Sequence, residues 1–184
     1  MFVLDLQMEV LISMMQSNND KIKKLVLLSS LTAAAIILSI VESFIKIIPV
    51  PGAKIGLANL ITILILYLYS FKEAFVVSLT RIILAGILSG NPGPTLAMGL
   101  LGGIISVIVM GLSKNLKLSI IVVSLLGSLS HQVGQIIAGI YVIGTSDIVY
   151  YLYIMLPLGV VTGIINGIIA KNFIFNIQKK QDIN

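Results

Sequence analysis

Residues 118–143 read LSIIVVSLLGSLSHQVGQIIAGIYVI, 26 positions without one Asp, Glu, Lys or Arg. Wound as a helix at about 1.5 Å per residue, such a run is longer than the roughly 30 Å hydrocarbon core of a bilayer. A strand reading fails, because membrane strands use about 9–11 residues and alternate apolar with polar positions. The segment is therefore expected to be a helix that crosses a membrane.

Working outward, the same pattern recurs. Toward the N-terminus, apolar runs cover 95–112, 74–88, 55–69 and 25–45; toward the C-terminus one covers 148–170. Between them stand Pro/Gly-rich turns at 49–52 and 89–94, the pair Lys72-Glu73, the lysines Lys114 and Lys117, and the break at 144–147. Proline and glycine clusters cannot continue a helix, and charges mark water. The expected fold class is all-α: an integral membrane bundle of six transmembrane helices over 21–171. It is flanked by an N-terminal tail or interfacial segment (1–20) and a C-terminal tail (172–184). The first 20 residues lack the basic start and small-residue cleavage site of a secretory signal.

Composition agrees. The hydrophobic fraction is 58% against roughly 45–50% in soluble domains, and mean hydropathy is +1.11. A water-soluble chain of 184 residues has no core large enough to hide that much apolar surface. The net charge of +5 does not point to nucleic acid, because the cations sit at the ends of apolar runs. With six spans and both termini inside, Lys21, Lys23, Lys24, Lys72, Lys114, Lys117, Lys171, Lys179 and Lys180 fall on the inner side, and only Lys46 and Lys54 on the outer. That bias is the positive-inside signature, so both termini are expected to be cytoplasmic. The chain has no cysteine, which excludes disulfides, a thiol nucleophile and thiolate metal sites.

Ionisable and amide groups inside apolar runs call for a separate explanation. Arg81 lies nine positions beyond Lys72, roughly 13 Å into the membrane by helical rise. Glu42 sits near the outer end of its span, Lys54 and Asn59 near the start of the next, Asn91 in the following outer loop, and His131, Gln132 and Gln135 in the outer half of 118–143. Their shared depth suggests one polar pocket open to the outside, and its cations suit an anionic or partly anionic small-molecule ligand. Equally, Arg81 can pair structurally with Glu42, and His131 can clamp neighbouring helices. Asn166 reads as packing or a hinge. Small residues four apart (Gly159, Gly163 and Gly167; Gly99 and Gly103; Gly86 and Gly90) read first as close helix packing. Around Ser29, Ser30, Ala33 and Ala34, a face for another membrane protein is a second option.

At PVPGAKIGLANL (49–60), at Arg81 with Gly86 and Gly90, and at HQVGQIIAG (131–139), the chain resembles the bacterial membrane proteins labelled heptaprenyl diphosphate synthase component I, also called Gx transporter family proteins. That family is similar in fold to the substrate-binding S components of energy-coupling factor vitamin transporters. The resemblance implies six helices, a ligand site under a lid formed here by the segment around 49–54, and a shared transmembrane subunit docking on Ser29, Ser30, Ala33 and Ala34, with energy from a separate ATPase module.

The chain is not expected to be an enzyme. Prenyl transfer needs clustered carboxylates that hold Mg²⁺ against diphosphates, and its seven acids are scattered. One histidine cannot build a multi-histidine metal site, and no phosphate-binding Gly-rich loop is present. No metal or cofactor is expected. The leading expectation is a cell-membrane subunit that captures a small anionic or amphipathic nutrient or precursor for uptake. The alternatives are a non-catalytic membrane subunit of a heptaprenyl diphosphate synthase, and a structural assembly partner.

Overall fold

The structure is a computed structural model that describes residues 20–44, 54, 56–90 and 92–181. Among these residues it contains six α-helices and no strand: α1 (Asp20–Phe44), α2 (Asn59–Leu68), α3 (Phe71–Leu88), α4 (Pro92–Asn115), α5 (Ile120–Ile143) and α6 (Leu152–Gln181), with a 3₁₀ segment (Ser146–Tyr151) leading into α6. Each of the six apolar runs forms one helix. Four stretches are long and apolar enough to cross a membrane: Lys21–Phe44, Leu96–Asn115, Ile120–Ile143 and Ser146–Lys179. The chain is thus all-helical over the described residues and has the makings of a membrane protein.

The other two helices differ from the four for physical reasons. Helix α3 has 18 residues but carries Lys72, Glu73 and Arg81. Helix α2 has only ten, about 15 Å of rise, or half the hydrocarbon thickness. The run at 55–69 looked like a full span because it is apolar throughout, yet residues 56–58 do not wind. Gly56 adopts φ +98°, a conformation open to glycine and strained for other residues, and Leu57 and Ala58 form a turn before the helix starts.

The short α2 is nearly encircled. Asn59 and Ile61 through Leu66 are all buried, as expected of a helix that is apolar on every side, and α2 packs on each of the other five helices. Its C-terminal end is closed by Lys114 of α4, whose Nζ donates to the Leu66 carbonyl at 2.5 Å. That is the favourable place for a cation on a helix. Around this centre the neighbours run α1–α3–α4–α5–α6.

Starts and stops follow local chemistry. Ser70 caps α3: its Oγ accepts from Lys72 N at 3.2 Å and donates to the Glu73 carboxylate, a variant of the capping box. Ser119 caps α5 by accepting from Val122 N at 3.4 Å. Near its start α6 contains Pro157, which leaves the Tyr153 carbonyl without its usual helical donor. Helix α6 then runs on to Gln181, so residues 172–181, expected as a polar tail, are helical. Ala170, Ile174 and Ile177 repeat at the spacing of a single helix face and are buried.

The glycine rows are contacts within the chain. A Cβ on Gly163 would lie 2.9 Å from Leu125 Cα, and one on Gly167 would lie 2.7 Å from Ile121 Cα, so the α6 row seats that helix directly on the α5 backbone. Gly99 faces Ile82 and Gly86 faces Leu96 across the α3–α4 contact. Gly90 does not belong to such a row: it lies beyond α3 in a turn with φ +74° and nothing within 4 Å of a Cβ. The closest backbone approach of α4 to α5, Gly134 against Gly102, follows no four-residue row; a Cβ on Gly134 would sit 2.7 Å from Gly102 Cα.

Candidate functional site

The segment that precedes α2 organises the polar groups. Non-helical backbone at membrane depth is tolerated where protein satisfies its N–H and C=O groups. Here three helices supply the partners. Glu42 of α1 accepts from Leu57 N, Gln135 of α5 accepts from Lys54 N at 3.2 Å through Oε1, and Asn166 of α6 donates Nδ2 to the Gly56 carbonyl at 3.1 Å. Two residues singled out for a ligand, Glu42 and Gln135, therefore hold main chain in place. Asn166, read as packing or a hinge, does the same.

Arg81 enters this cluster from α3. Its Nη1 donates to Ser39 Oγ at 3.1 Å and its Nη2 to Asn59 Oδ1 at 3.4 Å. It is only 3% exposed, and Glu42 only 2%. Both direct partners of the guanidinium are neutral. No ion pair within 4 Å joins Arg81 to Glu42, whereas Lys24 and Glu73 do form one. Glu42, Arg81 and Lys54 nevertheless lie within electrostatic range of one another. Several polar atoms of Arg81 and the groups it meets are buried without a partner: Glu42 Oε2, Asn59 Nδ2 and Arg81 Nε. Atoms of this kind are costly to leave unmet, which makes them the places where a bound group or water gains most.

His131 is reached through Gln135. Since Gln135 Oε1 already accepts from Lys54 N, its amide nitrogen is the end that lies 3.0 Å from His131 Nε2. An amide nitrogen only donates, so Nε2 accepts and the ring proton sits on Nδ1. The imidazole in this arrangement is neutral and acts as an acceptor. Gln132, fully buried, faces α6, where a Cβ on Gly159 would lie 3.1 Å from its Cγ. Ser128 and Thr162 continue the α5–α6 polar seam at 3.3 Å.

The structure thus brings Glu42, Asn59, Arg81, His131 and Gln135 around the Lys54–Asn59 segment and leaves Gln132 one turn aside. Asn91, the turn at 49–52 and most of the expected lid lie outside the described residues. Ser39, which Arg81 holds, and the buried Ser78 and Thr62 were not among the residues expected from the sequence. A hydroxyl at one turn's remove from an intramembrane charge, as Ser39 is from Glu42 and Ser78 from Arg81, is the signal that would have found the first two. Among the described residues no three His, Cys, Asp or Glu side chains converge as metal ligands.

At the opposite, lysine-bearing end, α1 and α3 part to form an open groove of about 540 Å³. Ser29 and Ala33, half of the expected docking face, line it, while Ser30 is exposed and Ala34 partly buried. At that same end, where Glu73 lies ahead of the apolar run 74–88, Lys24 Nζ meets Glu73 Oε1 at 2.5 Å. The hydrogen bonds from Lys24 and Ser70 hold the Glu73 carboxyl down at about 2.

A family model described as heptaprenyl diphosphate synthase component I matches residues 31–173. No curated protein and no solved structure matches the chain.

Proposed function

We propose, from the premise that the chain belongs to the heptaprenyl diphosphate synthase component I family, that it is the non-catalytic membrane subunit of a polyprenyl diphosphate synthase. The observation that carries this reading is the extent of the family match, 31–173, which takes in almost the whole helical bundle. On this reading the chain crosses the membrane six times with both termini in the cytoplasm, and a separate subunit brings the carboxylates and Mg²⁺ that prenyl transfer requires. The bundle receives or presents the growing chain, whose tail is insoluble in water. Co-expression with a catalytic prenyltransferase subunit tests it. The expected result is a higher rate or longer product than the catalytic subunit gives alone; unchanged rate and product length would reject it.

A second reading is favoured by the partnerless atoms around Arg81. Here the Glu42, Lys54, Asn59, Arg81, His131 and Gln135 cluster takes an anionic small molecule from the outer side, Ser29, Ser30, Ala33 and Ala34 dock a shared transmembrane subunit, and an ATPase module drives uptake. Cells that lose uptake of a candidate ligand with Arg81→Ala, while the protein remains in the membrane, support this reading over the first. Uptake unchanged by that variant rejects it.

A further inference from the structure

The groove between α1 and α3 has features that neither packing nor the polar cluster uses. Its walls are mostly aliphatic, with Leu25, Leu28 and Ile36 from α1 and Val76, Val77 and Leu84 from α3. Its volume, about 540 Å³, falls inside the roughly 300–1,000 Å³ of small-molecule sites. From Lys72 to Leu84 along α3, or Leu25 to Ile36 along α1, it runs about 17 Å by helical rise. That is close to half of the roughly 30 Å hydrocarbon core, the depth of a single leaflet.

Charge is confined to one end. Lys72 and Glu73 stand at the mouth, with Lys21 and Lys24 on α1 in the turn before Leu25. Glu73 is already engaged by Lys24 at 2.5 Å and by Ser70. Lys72 is exposed and is in no ion pair among the described residues. A cation at the water-facing end of an apolar, leaflet-deep groove is complementary to one kind of molecule, an amphiphile with an anionic head and a single long tail. Small side chains in the lining, Ser29, Ala33 and Thr80, leave width for methyl branches.

We infer that this groove holds the head-proximal isoprene units of a polyprenyl diphosphate, with the diphosphate at Lys72, those units lying between α1 and α3 toward mid-membrane and the rest of the tail in the bilayer. The choice of a prenyl over an acyl tail rests on the synthase-subunit reading above. On this inference the product remains in contact with the bilayer along its length, because the groove opens sideways to lipid.

The test uses the full chain in nanodiscs of zwitterionic phosphatidylcholine, with tritiated heptaprenyl diphosphate as the probe. Saturable binding is expected. Ala33→Leu and Thr80→Leu, which place extra methylenes in the groove, should each weaken it roughly tenfold. Lys72→Gln should weaken it about fivefold, the worth of one lysine near an anionic headgroup. Absence of saturable binding, or binding that all three variants leave intact, would overturn the inference. So would displacement of the probe by equimolar phosphatidylglycerol, which would mark a site for ordinary anionic lipid. Synthase stimulation that survives Ala33→Leu while tail binding is lost overturns the groove's part in the reaction and leaves the subunit reading standing. Groove binding without any stimulation does the reverse.

Discussion

Removing the charge of Glu42 while keeping its hydrogen-bonding shape isolates what that carboxylate does for Arg81. In Glu42→Gln the amide oxygen still accepts from Leu57 N, but the guanidinium keeps only the neutral acceptors Ser39 and Asn59. The two charges lie beyond ion-pair contact, so at an effective dielectric near 20 their attraction has a ceiling of about 4 kcal/mol, the value at 4 Å. A destabilisation of about 1–3 kcal/mol is expected for Glu42→Gln. Glu42→Ala should cost about 1–3 kcal/mol more, because Leu57 N is then buried without a partner. If the charge is the reason, Arg81→Met in the Glu42→Gln background should cost less than it does in the wild type, with a coupling of about 1–3 kcal/mol. The chain has neither Trp nor Cys, so tryptophan emission and thiol dyes cannot follow its unfolding. SDS titration read by far-ultraviolet circular dichroism can. A coupling below about 0.5 kcal/mol, within ordinary additivity, would refute the argument that these charges balance one another.

Three further outcomes can be checked in the same assay or beside it. Gly134→Ala should destabilise by about 1–3 kcal/mol, because its Cβ would meet the Gly102 backbone at 2.7 Å, whereas Gly93→Ala, with nothing within 4 Å, should be neutral; equal effects at the two positions would contradict the packing described. Asn166→Ala should strip the Gly56 carbonyl of its donor and raise amide hydrogen exchange in peptides covering 54–60, while peptides from α5 stay protected. Glu73 titrates near 2 when folded and near 4.3 when unfolded. Its contribution to stability is therefore complete above the unfolded value and is lost as pH falls through the folded one, so wild type should lose its advantage over Glu73→Gln between about pH 4 and 2. A difference between the two that does not change with pH would refute this.

Helix existence was readable from charge spacing because bilayer thickness imposes a minimum on apolar length, and each of the six runs contains one helix. The start of α2 was not readable. Residues 55–58 are as apolar as those that follow, and what holds Lys54, Gly56 and Leu57 out of a helix is the set of bonds made by Glu42, Gln135 and Asn166 from 15 to 110 positions away. Depth along the helices did bring Arg81, Glu42, Asn59 and His131 to one level. Depth says nothing of azimuth, however, and azimuth decides whether a carboxylate meets a ligand or a backbone N–H. The end of α6 was hidden by lysines: Lys171 and Lys179 made 172–184 look solvated, while Ala170, Ile174 and Ile177 continue the buried face beneath them.

Arg81 and the α1 residue it grips are separated by 42 positions. At about 5–20 residues per second, a ribosome takes roughly 2–8 s to travel that distance. The polar end of α1, carrying Ser39 and Glu42, is thus synthesised seconds before the arginine that completes it exists. In that interval α2, with its unwound entry, is also waiting for α5 and α6. The polar groups of the first helix therefore lack their partner while it is being made, and the unwound entry to α2 gains its last donor only when Asn166 of the final helix arrives.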